Sequence, residues 1–249
     1  MLRTHHLPLR KPFAWLTASL LAVSTVTWAT APRFDFTAFG SFKRMSHTGD
    51  TSGQVNLADL PQFAGSWGMG ALAGLKGEVL LQDGLLLVSR GDDPQGRVAA
   101  PRAGDEAVLF AAARVQQWTE LTLPSDMTQA QFEAFVLEQA KSLDLDGSEP
   151  FPFLVQGRYP QLIWHVVTGQ PASGSDRGGH GGATGKRVFE QPSAGGQLVG
   201  MYSGVQLEGV VSHSGERFHV HYADDAASVS GHVDAYAVAR GGLLKLPLR

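Results

Sequence analysis

Short apolar runs separated by glycine, proline and small polar residues recur along most of the chain, and they predict strands rather than long helices. The clearest case is residues 78–89, where two apolar runs flank Asp83-Gly84. An Asp-Gly pair readily adopts the positive φ angles of a tight turn, so this segment predicts a β-hairpin. Residues 107–115 form another apolar run, which is typical of a buried strand.

One segment has the period of a helix instead. Thr128 and Gln131 have the spacing of a capping box, and apolar side chains recur after them every three to four residues. The positions that share one helical face are Phe132, Phe135, Val136, Gln139, Ala140 and Leu143. This pattern predicts the one long helix of the chain, with its apolar face in the core. A short capped helical turn is also predicted at residues 56–60.

The remaining apolar runs predict more strands. Residues 153–157 and 162–167 flank a turn and predict a second hairpin, and residues 196–202 predict a strand that leads towards the C-terminal region. One long helix among many short strands predicts an α+β protein that is mostly β, with a mixed sheet and few helices. We expect an N-terminal α/β subdomain at residues 30–150 and a smaller, β-rich subdomain at residues 151–249.

The first residues differ from the rest of the chain. Arg3, Arg10 and Lys11 precede an apolar run at residues 13–29, which is the layout of a secretory signal peptide. We therefore predict that residues 1–29 are removed and that the protein is exported, either periplasmic or secreted. The alternative is a membrane anchor, but serine and threonine interrupt the run and it is short for a span.

Composition excludes several classes of protein. The hydrophobic content is 43%, the charged content is 17% and the net charge is −3. Because basic residues are not in excess, the composition does not indicate a nucleic-acid partner. The chain has no cysteine and therefore neither a disulfide framework nor a lipid-attachment site. We expect an acidic protein without a stable membrane anchor, whose partner is a small molecule.

A group of histidines carries the strongest chemical signal. His219 and His221 alternate on a predicted strand, and side chains at i and i+2 point to the same face. Residues 223–230 are typical of a loop, so His232 on the returning strand is expected to lie across from the pair. Three converging imidazoles are typical of a zinc site with open positions for chemistry. The alternative is an exposed hairpin, since alternating histidines also occur on strand surfaces.

Two nucleotide-binding motifs are imitated in the sequence, but neither has the residues or the structural context that it requires. Gly68-x-Gly70-x-x-Ala73 has the spacing of a dinucleotide fingerprint, but that motif must open a helix, which the glycines that follow would weaken. Gly185-Lys186 is similar to the end of a phosphate loop, but Arg187 stands where serine or threonine is required. A cupin-like metal barrel is a further alternative. Asp225 lies near the position of its glutamate, and nothing matches its later histidine segment.

Three segments, in the same order and spacing, resemble the α-acetolactate decarboxylase family. They are the glycine-rich run at residues 65–78 that ends in Gly77-Glu78, the strand at residues 196–200, and His219-x-His221 followed by His232. The resemblance spans roughly residues 45–247, which is nearly all of the chain after the predicted signal peptide.

The resemblance implies a homodimeric carboxy-lyase that converts 2-acetolactate, or a related 2-hydroxy-3-keto acid, to acetoin. It implies that His219, His221 and His232 bind a divalent metal, usually Zn²⁺, and that Glu78 is an acidic residue of the site. In such chemistry the metal acts as a Lewis acid on the chelating ketone and hydroxyl oxygens. Glu78 would either bind the metal or deliver a proton.

Two positions depart from the family's pattern. His165 stands where the family has an arginine suited to a carboxylate, and a neutral imidazole lacks that charged, bidentate fork. Arg158, on the same predicted hairpin, is the candidate replacement. Lys245 stands where the family has a glutamate near the metal. The alternative function is therefore a divergent metal-binding member with another substrate, or one that only binds a ligand.

Two further side chains complete the set of candidates. Asp234 lies two residues after His232 and is expected either to orient an imidazole through a hydrogen bond or to be an exposed strand carboxylate. His213 precedes the histidine strand and is expected to be solvated rather than to bind metal.

Overall fold

The computed structural model describes residues 34–145, 147–171 and 184–248. Most of these residues lie in strands of two sheets, and two α-helices accompany them, so the prediction of a mostly β protein with few helices is confirmed. The predicted signal peptide lies outside the described residues, and export stays a prediction, as does the subdomain boundary near residue 150. In the described part of the chain, no helix is long and apolar enough to span a bilayer.

The first sheet has seven strands. They are β1 (Phe34–Phe39), β2 (Val55–Asn56), β3 (Ser66–Leu72), β4 (Gly77–Gln82), β5 (Leu85–Arg90), β6 (Val98–Ala99) and β7 (Glu106–Val115). Their order is β1-β7-β3-β4-β5-β6, with β2 also beside β7. The predicted hairpin is confirmed as β4 and β5, which turn at Asp83 and Gly84, both with positive φ.

The second sheet has nine strands. They are β8 (Trp118–Thr122), β9 (Met127–Thr128), β10 (Phe151–Tyr159), β11 (Gln161–Pro171), β12 (Thr184–Gln191), β13 (Ala194–Tyr202), β14 (Phe218–Ala223), β15 (Ser230–Val238) and β16 (Leu243–Pro247). Their order is β12-β11-β15-β14-β13-β10-β16-β8, with β9 also beside β15. This sheet carries the histidines, and it includes β8 and β9 from before residue 150.

All pairs between these strands are antiparallel, which corrects the expectation of a mixed sheet. Parallel neighbours need a crossover connection of a dozen or more residues, usually a helix. The long helix of this chain instead joins β9 to β10, and those two strands are not neighbours in the sheet.

The predicted hairpin between residues 153–157 and 162–167 is wrong, although both strands exist. β10 pairs with β13 and β16, whereas β11 pairs with β12 and β15. Pro160 alone separates the two strands, and one residue is too short for a hairpin loop. The chain bends at Pro160, so the adjoining ends of β10 and β11 lie close together although three strands separate them in the sheet. The sheet is therefore strongly curled.

Helix α2 (Gln129–Ser142) packs its apolar face into the core beside this sheet, which confirms the predicted long helix. Thr128 and Gln131 form the capping box, and Phe132, Val136 and Ala140 are buried. The Phe132 ring contacts those of Phe153 and Tyr236, with centroids 6.3 and 5.9 Å away. A second helix, α1 (Phe42–Thr48), begins at the N-cap Ser41 and was not predicted, and the capped turn at residues 56–60 is confirmed as a 3₁₀ turn, Leu57–Asp59.

The glycine-rich run allows two strands to approach closely. A Cβ atom on Gly70 would lie 2.1 Å from the carbonyl oxygen of Leu109, and one on Gly68 would lie 2.6 Å from that of Ala111. Both glycines lie on β3, whose partner at these positions is β7. The run is therefore a strand held against its neighbour and not the helix start that a dinucleotide fingerprint requires.

An ion pair joins the end of β5 to the turn before β7. Arg90 donates to both carboxylate oxygens of Asp105, at 3.3 and 2.5 Å, and the Arg102 backbone N–H donates at 2.7 Å. Although burial opposes it, these bonds hold the pKa of Asp105 below its ordinary value of 3.8.

We expect Asp105→Asn to lower the free energy of unfolding by about 1.5–3 kcal/mol at pH 7, because it removes charge-assisted hydrogen bonds from a mostly buried guanidinium. Since the pKa of Asp105 is lower in the folded state, the wild-type advantage is complete above the unfolded-state pKa and disappears as the pH falls through the folded-state pKa. Urea unfolding of both proteins at pH 7 and pH 3 measures it. An advantage that grows on acidification contradicts this assignment.

Candidate metal centre

The two strands β14 and β15 bring the three predicted histidines together. His219 and His221 point to the same face of β14, and His221 is paired directly with His232 of β15. One ring nitrogen from each imidazole lies within 4.8 Å of the others. The convergence predicted from the spacing of these residues is therefore present, and the exposed hairpin is excluded, because His219 and His221 are buried.

Burial keeps all three imidazoles neutral. It lowers the pKa of His219 to about 3, with a contribution from His213, and it lowers the pKa of His221 and His232 well below 6.5, with contributions from the neighbouring imidazoles. A neutral imidazole has a lone pair available for a metal, whereas a protonated one does not.

The hydrogen bonds of the three rings fit a metal ion. His219 Nδ1 lies 2.7 Å from the carbonyl oxygen of Val211, so Nδ1 carries the proton and Nε2 keeps its lone pair. His219 Nε2 lies 3.1 Å from His232 Nδ1. Ligand nitrogens on a tetrahedral Zn²⁺ lie about 3.3 Å apart, since each Zn–N bond is about 2.0–2.1 Å.

His221 gives the strongest indication of a missing partner. Its ring is 0% exposed, and neither of its two ring nitrogens has a hydrogen-bond partner. A buried polar atom without a partner costs about 1–3 kcal/mol, so native proteins rarely leave one. A metal held by His219, His221 and His232 would supply a partner for one of these nitrogens.

Glu78 reaches this cluster from the first sheet, as the resemblance implied. It lies on β4, is 4% exposed, and accepts a 3.3 Å hydrogen bond from the Val167 backbone N–H. Its carboxyl oxygens lie 3.7 Å from His221 Nε2 and 3.9 Å from His165 Nε2. Burial raises the pKa of Glu78 to about 8. The carboxyl group therefore faces the histidines, and its burial favours the protonated form.

His165 also lies at the site, but it is not positioned to bind a carboxylate group of a substrate. It is buried, and its Nδ1 donates a 2.7 Å hydrogen bond to Asp234, which leaves Nε2 facing Glu78. Burial lowers the pKa of His165 despite Asp234. Asp234 thus orients an imidazole, as predicted, but the imidazole is that of His165 and not of a metal ligand. Because the register shifts between β11 and β15, Asp234 has no paired residue on β11, whereas Val233 and Ala235 on either side of it do.

The other two sequence candidates lie away from the histidines. Arg158 is exposed near the end of β10, opposite Gly195, and does not line the cavity at the site. Lys245 points its ammonium group at Glu120, 2.6 Å away, and is also absent from the cavity lining.

A cavity beside the histidines has one apolar and one polar wall. The apolar wall contains Phe42, Met45, Ala71, Leu75, Leu109 and Val167. The polar wall contains Glu78, His165, Thr184, Lys186, His213, His219 and His232. A second, more polar cavity adjoins it, and Lys186, His213 and His232 line both.

The sequence did not point to Phe42 or Lys186, and the prediction for His213 was wrong. Phe42 belongs to the unpredicted helix α1, and its ring lies 4.1 Å from that of His213, which is partly buried rather than solvated. Lys186 lies on β12, where no strand was predicted. No pattern in the sequence connects either residue to the histidines, because each arrives through the packing of separate elements.

The sequence matches one family across most of its length. The model of the family described as alpha-acetolactate decarboxylase matches residues 43–245. The chain belongs to the alpha-acetolactate decarboxylase family. This membership supports a decarboxylase activity in general, and the three-histidine cluster is consistent with the metal dependence of the family. No curated protein matches the chain.

Solved structures related to this family share the fold. The alpha-acetolactate decarboxylase of Bacillus subtilis strain 168 matches with a TM-score of 0.64 and 16% identity, over 86% of this chain and 85% of that one. A Staphylococcus aureus protein described as similar to alpha-acetolactate decarboxylase matches with a TM-score of 0.61 and 16% identity, over 85% and 84% of the two chains.

Proposed function

We propose that the protein is a zinc-dependent carboxy-lyase that converts 2-acetolactate, or a closely related 2-hydroxy-3-keto acid, to acetoin. The observation that carries this proposal is the fully buried His221, whose unpartnered ring nitrogens lie among two other neutral imidazoles and a buried carboxyl group. Membership of the decarboxylase family supports the reaction type.

His219, His221 and His232 would hold the ion, and no charged side chain among them would reduce its positive charge. A Zn²⁺ ion bound there supplies Lewis acidity towards the oxygens of the substrate. The backbone carbonyl of Val211 orients His219 by accepting its Nδ1 proton. This bond keeps the ring in the tautomer that ligation requires.

Glu78 is the proton donor in this proposal. Loss of carbon dioxide breaks the bond between the carboxylate and the hydroxyl-bearing carbon, and the electron pair stays on the substrate. One proton must then reach that carbon to give acetoin. The Glu78 carboxyl group lines the cavity and contacts the histidine site, so it is the acid within reach.

The cavity walls match the two ends of such a substrate. The apolar side chains of α1, β3 and β7 offer a surface for its methyl groups and exclude water from the reacting carbon. The polar wall of β11, β12, β14 and β15 faces the oxygens. A homodimer and export to the periplasm or the medium remain part of the proposal, on the family resemblance and the N-terminal sequence.

The second candidate is a metal-binding member of the family that acts on another substrate or only binds a ligand. The observation that favours it concerns His165, whose Nδ1 donates a hydrogen bond to Asp234. His165 does not supply the positive charge of the arginine that the resemblance implies at this position. Incubation of the zinc-loaded protein with racemic 2-acetolactate separates the two functions. The decarboxylase predicts carbon dioxide and acetoin in equal amounts, above the spontaneous rate and sensitive to chelators. Bound zinc with product at the spontaneous rate would favour the second candidate.

A further inference from the structure

Lys186 places a positive charge at the histidine site that no motif of the sequence assigned. We propose that Lys186 binds the carboxylate group of the substrate and so selects anionic over neutral diols and ketols. This inference deepens the proposed function and rests on it, because the carboxylate is the group that the reaction removes.

The strand register brings Lys186 to the site. Lys186 of β12 is paired with Val167 of β11, so the two side chains share a face of the sheet. His165 lies two residues from Val167 on the same strand and points to that face too. Lys186 lines both the cavity at the histidines and the adjoining polar cavity.

The charges around the cavity leave this role to Lys186. Among the described residues that line the cavity at the histidines, Lys186 is the one lysine or arginine. A carboxylate that enters a partly desolvated cavity needs a charged partner to offset the loss of water.

Asp234 holds Lys186 without saturating it. Lys186 Nζ lies 3.4 Å from Asp234 Oδ1, and the other carboxylate oxygen accepts the stronger bond from His165 Nδ1, at 2.7 Å. A lysine ammonium has three N–H donors, so two remain for a ligand. Asp234 is therefore a positioning residue, which sets the direction of both His165 and Lys186 towards the cavity.

The test compares two ligands that differ by one carboxylate. The acid 2,3-dihydroxy-2-methylbutanoate has the substrate's carbon skeleton but lacks the ketone, so it cannot decarboxylate, and 2,3-butanediol is the same molecule without the carboxylate. Calorimetry measures the Kd of each for the zinc-loaded wild type, Lys186→Met, Lys186→Arg and Lys141→Met. Lys141 is an exposed lysine of α2, so its replacement controls for the loss of one positive charge.

We expect Lys186→Met to weaken binding of the acid by about 10- to 100-fold, the loss of a charge-assisted hydrogen bond, with binding of the diol unchanged. Lys186→Arg should retain most of the affinity for the acid, and Lys141→Met all of it. Unchanged affinity for the acid in Lys186→Met would overturn the inference. An equal loss for acid and diol would also overturn it, since that result indicates a structural role.

Turnover separates this inference from the proposed function. If wild type converts 2-acetolactate, Lys186→Met should raise KM about 10- to 100-fold with a smaller change in kcat. An unchanged KM would refute the role of Lys186 and leave the decarboxylase proposal standing. If wild type does not convert 2-acetolactate but binds the acid in a manner that depends on Lys186, the decarboxylase proposal fails and the carboxylate site stands.

Discussion

The His221→Ala variant is expected to lose its bound metal and to form acetoin no faster than the spontaneous reaction. His221 is the most buried of the three candidate ligands and makes no hydrogen bond that would give its imidazole another role. With two histidines left, the site falls below the three protein ligands of catalytic zinc sites. We expect metal content to fall from about one zinc per chain to near zero, as measured by elemental analysis after dialysis.

Thermal unfolding gives a second readout of this variant. Zinc at 100 times its Kd stabilises a native state by about 2.7 kcal/mol, which for a chain of this size raises Tm by about 5–10 °C. That rise should be absent in His221→Ala. Because alanine leaves a void at a buried position, His232→Ala, at a partly exposed position, provides a second variant with the same expected result. The matched control is His47→Ala, which changes an exposed histidine at the end of α1. Stoichiometric zinc in both site variants would refute the three-histidine assignment.

The Glu78→Gln variant is expected to keep its metal and lose most of its turnover. Glutamine preserves the size of the side chain and can accept the hydrogen bond from the Val167 backbone, but it cannot transfer a proton. Removal of a general acid lowers kcat by about 10²- to 10⁴-fold. We therefore expect kcat to fall within this range while zinc content stays near that of the wild type.

Glu120→Gln is the control for Glu78→Gln, because Glu120 is an exposed carboxylate that pairs with Lys245 away from the cavity. Its kcat should equal that of the wild type. If Glu78→Gln instead loses zinc in proportion to its activity, Glu78 is a ligand first and the proton comes from another group.

The local parts of the fold were predictable because their signals lie within a few residues. The Asp83-Gly84 turn and the Thr128–Gln131 capping box determine a hairpin and a helix through nearest-neighbour geometry alone. The histidine cluster was predictable for the same reason. The i, i+2 spacing of His219 and His221 sets their shared face, and one tight return of the chain brings His232 opposite them.

The errors concern contacts between distant segments. Residues 153–157 and 162–167 have the composition of a hairpin, but Pro160 leaves no room for its loop, so the chain bends and each strand finds other partners. Arg158 was chosen on the basis of that hairpin, and the bend leaves it outside the cavity lining.

Lys186 is a site residue that the sequence did not predict, again because its position depends on a contact between distant segments. Its strand follows a low-complexity segment with no alternation of apolar and polar residues, so no local pattern assigned it to a sheet. The pairing of Val167 with Lys186 is a long-range register, which only the packed structure provides.

A zinc titration tests the central claim most directly. Metal-free wild-type protein is mixed with increasing zinc, and acetoin formation from racemic 2-acetolactate is measured at each ratio after subtraction of the spontaneous rate. Activity is expected to rise in proportion to zinc, to reach a plateau at about one zinc per chain and to disappear with a chelator. Activity in the metal-free protein, or no activity at full zinc occupancy, would contradict it.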